Sequence, residues 1–181
     1  MRIIAGSFRG RKLKSPEGRD TRPTSDRLRE SIFSQLTHRL GGSFEGVRVA
    51  DVFAGTGAMG LEAISRGAIS AVFVEKHQGL ELIKANAELL GCTDKCKFLG
   101  ADARNLPLVS EPIDLIFLDP PYGRELAEPA LLSALKNKWL KTGAIAMIEL
   151  AADDQFNCPE GFEEIQQKTS GKTKVITLEL L

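Results

Sequence analysis

The sequence predicts an α/β fold. A mostly parallel sheet is covered on both faces and ends in an antiparallel hairpin, with a small β-hairpin and a helix in front. Three observations predict it. From residue 47 onward, short apolar runs alternate with helical patterns, the signature of strand–helix units. Those runs are nearly continuous rather than alternating, as expected of strands buried on both faces. The tail then changes style, because Gly161–Lys168 and Lys174–Leu180 flank Thr169-Ser170-Gly171-Lys172-Thr173, which reads as a hairpin turn.

Residues 2–5 and 11–14 are short, partly apolar segments around Ser7-Phe8-Arg9-Gly10, bracketed by Gly6 and Gly10, and predict the small hairpin. Residues 15–23 are polar, with two prolines and a glycine, and read as a loop. Arg22-Pro23-Thr24-Ser25-Asp26 has the hydroxyl, proline and early acid of a helix start. Leu28, Ile32, Leu36 and Leu40, with Phe33 beside them, form one apolar stripe, and Gly41-Gly42 ends the helix. The strand candidates of the main domain are Val47–Phe53, Ala71–Glu75, Lys97–Gly100, Ile113–Leu118 and Ala144–Leu150. Helical patterns cover Met59–Arg66, Gln78–Leu90 and Pro129–Leu140, and a short segment, Ala103–Leu108, bridges the third and fourth strands.

A chain of 181 residues suits one domain with a small appendage, read as an N-terminal extension over 1–42 and a main domain over 43–181. With 43% apolar and 27% charged residues the composition is that of a soluble globular protein. No apolar run is long enough for a transmembrane span, and the N-terminus lacks the apolar stretch of a signal peptide, so a cytoplasmic protein is expected. Three cysteines, Cys92, Cys96 and Cys158, do not make a disulfide framework. No second Cys or His pair completes a metal site around Cys92 and Cys96, so no metal is expected and the thiols read as buried or half-buried. Net charge is zero, yet residues 1–40 carry ten Lys/Arg against four acids, which leaves the remainder equally acidic. A basic arm on an acidic body points to a polyanionic partner. Arg9, Arg11, Lys12, Arg22, Arg27 and Arg29 are candidates for phosphate contact, with Phe8 for stacking. Any one of them could equally be a solvated charge, and Arg22, Thr24 and Arg27 could instead line an active-site mouth.

Gly55, Gly57 and Gly60 satisfy G-x-G-x-x-G between a strand and a helix, a pattern that lets backbone approach a ligand closely. Asp51 stands at the strand end before them, where a carboxylate suits an amino group or a helix–loop clamp better than a pyrophosphate. Glu75 closes the second strand and is placed to accept ribose hydroxyls, a role dinucleotide enzymes share. Asp102, just past the third strand, is placed for an adenine amino group, although strand-end acids often only cap the next turn.

Asp119-Pro120-Pro121-Tyr122 ends the apolar run Ile113–Leu118. The Asp119 carboxylate and the Pro120 carbonyl can accept the two N–H groups of a planar amine. The prolines stiffen the loop and remove competing donors. Tyr122 can stack on an aromatic base. As a plain strand-and-turn the four residues would need no such company. Their place two strands beyond a glycine loop is what a catalytic role requires.

Asp51-Val-Phe-Ala-Gly-Thr-Gly-Ala-Met-Gly-Leu-Glu-Ala, with Ser65-Arg66-Gly67, resembles the cofactor loop of S-adenosylmethionine-dependent methyltransferases, and Asp119-Pro-Pro-Tyr resembles the amino-methyltransferase motif. With Arg2-Ile-Ile-Ala-Gly, Phe8-Arg-Gly-Arg-Lys-Leu and Arg22-Pro-Thr-Ser-Asp-Arg-Leu-Arg-Glu, the chain resembles the RsmD family of bacterial 16S ribosomal RNA guanine-N2 methyltransferases. The likeness runs in order along the chain, by pattern only after residue 150. It implies a Rossmann-like class I fold, with S-adenosylmethionine held by Asp51, Phe53, Ala54, Gly55, Thr56, Gly57, Gly60, Glu75, Lys76, Asp102 and Ala103. It implies 16S rRNA or the assembling small subunit as partner of a chain expected to act as a monomer. The chemistry of Asp119-Pro120-Pro121-Tyr122 alone also fits an adenine N6 amine or a protein amide, and a non-catalytic RNA-binding assembly factor is the remaining alternative.

Overall fold

The computed structural model describes residues 1–15 and 26–181. The elements run α1 (Asp26–Arg39), β1 (Arg48–Val52), α2 (Ala58–Ser65), β2 (Ser70–Glu75), α3 (His77–Leu90), β3 (Cys96–Gly100), β4 (Ile113–Leu118), α4 (Ala127–Lys136), β5 (Leu140–Ala151), β6 (Phe162–Ser170) and β7 (Thr173–Leu180). The sheet has seven strands in the order β3-β2-β1-β4-β5-β7-β6. Strands β1 to β5 pair in parallel, and β7 is antiparallel to both β5 and β6. The expected class I architecture is therefore present. The order of strands reverses between β1 and β4, which makes the carboxyl ends of those two strands the place where such sheets bind ligands. Among the described residues no helix is long and apolar enough to cross a membrane.

Two apolar layers enclose the sheet. One face carries Phe73, Phe117 and Met147 under α1, α2 and α3, and the other carries Ile116, Ala146 and Ile148 under α4. The extension shares the first layer, since Ile3, Leu13, Ile32, Phe33 and Leu36 are all buried in it.

Several boundaries differ from the sequence reading. The fourth helix ends at Lys136 rather than Leu140, because Lys138 takes a left-handed φ of 59° and turns the chain into β5. Trp139 and Leu140 read as a helical stripe but bury beside the sheet; the Trp139 indole N–H bonds the Pro107 carbonyl at 2.7 Å, and Leu140 pairs with Ile113. The final turn is two residues, Gly171 and Lys172, with the flanking threonine and serine absorbed into strands. Segment 103–108 forms only a short 3-10 turn over Ala103–Asn105. The N-terminal hairpin has a single antiparallel bridge, Arg2 to Lys12, and its turn is closed by Gly10 N–H to Ile3 O at 2.9 Å. The helix start expected at Arg22, Pro23, Thr24 and Ser25, and the loop expected before it from residue 16, lie outside the described residues. The buried face of α1 is Arg29, Ile32, Phe33 and Leu36, rotated from the stripe read through Leu28 and Leu40. Cys92 is buried and Cys96 half-buried, as read, but Cys158 is exposed.

Candidate functional site

The arm is fastened over the glycine-loop helix by buried polar side chains to which sequence reading gave no such role. Glu62 is fully buried on α2 and accepts the N–H groups of Ile4 at 2.7 Å and Ala5 at 2.9 Å, with Arg66 Nε at 2.8 Å balancing its charge. Ser65 accepts Phe8 N–H at 3.0 Å. Asn86, fully buried on α3, accepts Lys14 N–H at 2.7 Å and donates to Thr56 O at 2.9 Å, so the arm and the glycine loop hang from one amide. The only hint in sequence was a Glu, a Ser and an Asn on otherwise apolar helix faces.

The candidate phosphate contacts divide. Arg9, Arg11, Lys12 and Arg27 are exposed, and Arg11 also donates to the Leu89 carbonyl at the end of α3. Arg22 and Thr24 lie outside the described residues. Phe8 is half-buried against the core, so stacking is available only to what remains of its ring. Arg29 must be corrected: it is 1% exposed and cannot reach a phosphate. Its guanidinium donates to Arg2 O at 2.7 Å and to Asp26 Oδ1 at 2.9 Å, clamping the arm to α1. Burial lowers its pKa, with Glu62 and Asp26 opposing.

The glycine loop leaves β1 through a strained residue. Phe53 adopts φ 64°, sparsely populated for a residue with a side chain, and its N–H bonds Val74 O at 3.0 Å. Ala54 and Thr56 are nearly buried, and Gly55 and Gly57 both carry positive φ. Asp51 is 3% exposed and accepts Gly60 N–H at 2.9 Å, so it clamps the first turn of α2. That position of α2 needs glycine, because a Cβ on Gly60 would sit 2.4 Å from the Phe73 ring. The same clamp occupies a backbone donor that a pyrophosphate would use.

Glu75 holds the loop from the other side. Its carboxylate accepts Gly55 N–H at 2.9 Å and Lys76 N–H at 2.8 Å, while the Lys76 side chain is exposed. Gly79, in the first turn of α3, was missed by sequence reading. A Cβ there would come within 2.4 Å of Glu75 Cγ, so the glycine makes room for the acid. Asp102 is already committed: Arg104 pairs with it at 2.5 Å and donates its backbone N–H at 2.9 Å, and these bonds pull the carboxyl down to about 2. Ala103 beside it is buried.

Asp119 follows β4 next to the glycine loop, its N–H 3.4 Å from Val52 O. Pro120 is buried and Pro121 exposed. Tyr122 is half-buried, and its hydroxyl donates to Glu149 at 3.2 Å and lies 3.3 Å from Thr173 Oγ1. Asp154 accepts Gly123 N–H at 3.3 Å and Ala151 N–H at 3.2 Å, tying the loop to the end of β5. Glu149, Thr173 and Asp154 were not read from sequence. Glu149 had a signal, as the one charge in the apolar run Ala144–Leu150.

Four acids thus end four adjacent strands. Phe73, Asp51, Phe117 and Met147 are register partners across β2, β1, β4 and β5. Glu75 and Glu149 lie two residues further along β2 and β5, on the same face by the period of the pleat, and Asp119, just past the end of β4, faces Glu149 and Asp51. The surrounding protein, then Glu149 and Asp51, raises the Asp119 carboxyl well above the ordinary range, although solvent reaches it and screens part of the effect. Burial, with Glu75 adding repulsion and the Gly60 bond opposing, pushes Asp51 up to about 7. Such a cleft suits a ligand carrying positive charge and an amine with donors, and repels a dinucleotide's pyrophosphate. The residues present therefore fit a sulfonium cofactor.

Asp51 also fixes a pH response. Between its ordinary value of 3.8 and about 7 the folded protein keeps a proton that the unfolded chain releases, so stability falls as pH rises through that window. The ligand-free protein should melt roughly 5–10 °C lower at pH 8 than at pH 5, on the order expected for such a shift in a chain of this size. Asp51→Asn should flatten most of that slope, leaving the share due to Asp119. Melting curves across pH check it, and an unchanged slope in the variant would refute the assignment.

A family model described as conserved hypothetical protein 95 matches residues 1–179. The chain is 34% identical over 177 residues to ribosomal RNA small subunit methyltransferase D of Haemophilus influenzae, covering 94% of this chain and 89% of that protein. A solved structure described as a candidate methyltransferase of Escherichia coli aligns with a TM-score of 0.84 at 29% identity, covering 99% of this chain and 97% of that one. A tRNA (guanine(6)-N2)-methyltransferase of Thermus thermophilus is 35% identical over 122 residues, which span 65% of this chain and 35% of that protein.

Proposed function

The chain belongs to the conserved hypothetical protein 95 family, the RsmD methyltransferases, and we propose that it transfers a methyl group from S-adenosylmethionine to the exocyclic N2 amine of a guanine in 16S ribosomal RNA. The observation that carries this reading is the meeting of two loops. Asp119-Pro120-Pro121-Tyr122 and the glycine loop sit side by side at the switch point of the sheet, with Asp119 and Asp51 close enough to repel. The H. influenzae relative supports ribosomal RNA as substrate, and the Thermus relative's guanine-N2 activity supports that amine.

The cofactor, when bound, supplies a methyl group already activated on a sulfonium. Asp51, Phe53, Ala54, Gly55, Thr56, Gly57, Gly60, Glu75, Lys76, Asp102 and Ala103 are the residues proposed to hold it. The acids of β1 and β2 neutralise its charge, and the loop glycines let backbone approach it. An exocyclic amine is a poor nucleophile because its lone pair is delocalised into the ring. Asp119 and the Pro120 carbonyl take its two N–H groups and turn that lone pair outward. As the new N–C bond forms, the nitrogen becomes acidic and gives one of those protons to Asp119 or to water beside it. Pro121 keeps the loop stiff, and Tyr122 supports the base by stacking. The target guanine is presented unstacked. Residues 1–42 serve as the extension that holds the RNA, through Arg9, Arg11, Lys12 and Arg27. The protein would work in the cytoplasm, on naked rRNA or on the assembling small subunit.

The test is labelled methyl transfer from S-adenosylmethionine to undermethylated small-subunit particles and to naked rRNA, followed by nucleoside analysis. N2-methylguanosine is expected. N6-methyladenosine as product, or no transfer to either substrate, would overturn the proposal.

A further inference from the structure

We propose that Glu149 selects the base, accepting the N1–H of guanine beside the N2 amine held by Asp119 and rejecting adenine. This rests on the guanine-N2 reading above and names what enforces it.

The register places the two acids side by side. Leu118, the last residue of β4, pairs with Ile148 of β5 in parallel, and the next residues along the chain are Asp119 and Glu149. Neighbouring strands stand about 4.8 Å apart, so two carboxylates line one wall of the mouth. Ionised carboxylates only accept hydrogen bonds. The Watson–Crick edge of guanine puts the N1–H donor next to the N2 amine, a pair of donors for a pair of acceptors. Adenine puts an unprotonated N1 next to its N6 amine. With that amine on Asp119, adenine N1 would face Glu149 acceptor to acceptor, a repulsion that works against the wrong base.

Glu149 is also held in place. Tyr122 donates its hydroxyl to Glu149 Oε1 at 3.2 Å, and Thr173 of β7 lies 3.3 Å from the same hydroxyl. A carboxylate accepts at both oxygens, about four hydrogen bonds in all, so an acid oriented by a tyrosine can also read a base. Glu149 adds to the repulsion that raises the Asp119 carboxyl, and a base bringing donors to both acids relieves it. Tyr122 therefore does two things: it faces the base and orients the acid that reads it.

The experiment uses the full chain and two RNA substrates. One carries guanine at the position methylated by the wild type. The other carries 2-aminopurine there, which keeps the 2-amine but has no proton on N1. The wild type should prefer guanine by about 10- to 100-fold in kcat/KM, the range for a charged contact to one base edge. Glu149→Gln keeps an acceptor for Tyr122 and gains a donor that suits an unprotonated N1. It should lose about 10- to 100-fold on guanine and little on 2-aminopurine, so the preference collapses. Cofactor affinity, measured by titration, should change less than a few-fold. If the variant keeps the wild-type rate on guanine, the proposal fails. Equal loss on both RNAs would mean a purely structural role and overturn it, as would a loss traced to cofactor binding. Should Glu149→Gln melt below the assay temperature, Glu149→Asp, which withdraws the carboxylate by one methylene, must reduce the same ratio. A wild type that methylates adenine would instead bring down the proposed function itself.

Discussion

Replacing Asp119 by alanine is expected to stop methyl transfer while leaving the protein folded and both ligands bound. On the proposed mechanism the variant removes the acceptor that turns the amine lone pair outward and the group beside the departing proton. A positioned acid–base group is worth about 10²- to 10⁴-fold, and a loss of about 10³-fold or more in kcat/KM is the expected figure. If the arm holds the RNA as proposed, RNA affinity should change by less than a few-fold in a binding titration. The charge arrangement adds a second, opposite expectation. Asp119 is held against Asp51 and Glu149, so its removal relieves repulsion, and the inactive variant should melt no lower than the wild type. Wild-type activity should also rise with pH through a value above the ordinary carboxylate range, because only the ionised carboxylate accepts both from the amine and the proton. Normal transfer by the alanine variant would end the mechanism. A melting temperature lowered by many degrees would end the electrostatic account.

The second large effect is remote from the chemistry. Gly6→Ala should detach the arm. Gly6 has a φ of 82°, and a Cβ there would lie 1.8 Å from the Ser65 carbonyl oxygen, a backbone atom that cannot swing aside. To accept the methyl the segment must lift from α2, giving up the Ile4 and Ala5 bonds to Glu62 and the burial of Ile3. We expect a loss on the order of 3–5 kcal/mol of stability, visible as a melting temperature lower by roughly 10 °C. RNA affinity should fall by about tenfold or more, with a weaker salt dependence, because fewer cations are presented together. Cofactor affinity should fall far less, since Asp51 and Glu75 hold the glycine loop without help from Gly6. An RNA affinity that survives the substitution would place the nucleic-acid surface elsewhere.

Much of this was legible in the sequence, for reasons that also mark where legibility stopped. The central strands were readable because burial on both faces leaves them few polar residues, whereas the exposed, polar β6 was readable only from the turn that follows it. The acids at their carboxyl ends stood out for the same reason, and Asp51, Glu75 and Asp119 were found where the structure has them. Glu149 obeys that rule too. It went unread because no glycine or proline came after it to draw attention to the strand end. Trp139 and Leu140 were assigned to the wrong element because an apolar pair continues a helical stripe as well as it begins a buried strand. Arg29 was misplaced because a stripe through Leu28 and Leu40 and one through Arg29 and Phe33 share Ile32 and Leu36, and only packing decides which face turns inward. Glu62 and Asn86 offered only the hint of a polar residue on an apolar helix face, with nothing to say what it binds. Their partners are 58 and 72 residues away along the chain, and no local pattern announces such a pairing.

Those separations matter for how the protein is made. Glu62 closes on Ile4 across 58 residues, and Asn86 on Lys14 across 72. At about 5–20 residues per second of synthesis, residues 3–14 wait roughly 3–15 seconds before either anchor exists. During that interval Ile3 and Leu13 have nothing to bury against, and the basic side chains among them have no acidic body to balance their charge. The segment that emerges early is among the later ones to be fixed. A nascent chain stalled before residue 62 should therefore be cut by protease between residues 3 and 14, whereas the completed, released chain should resist.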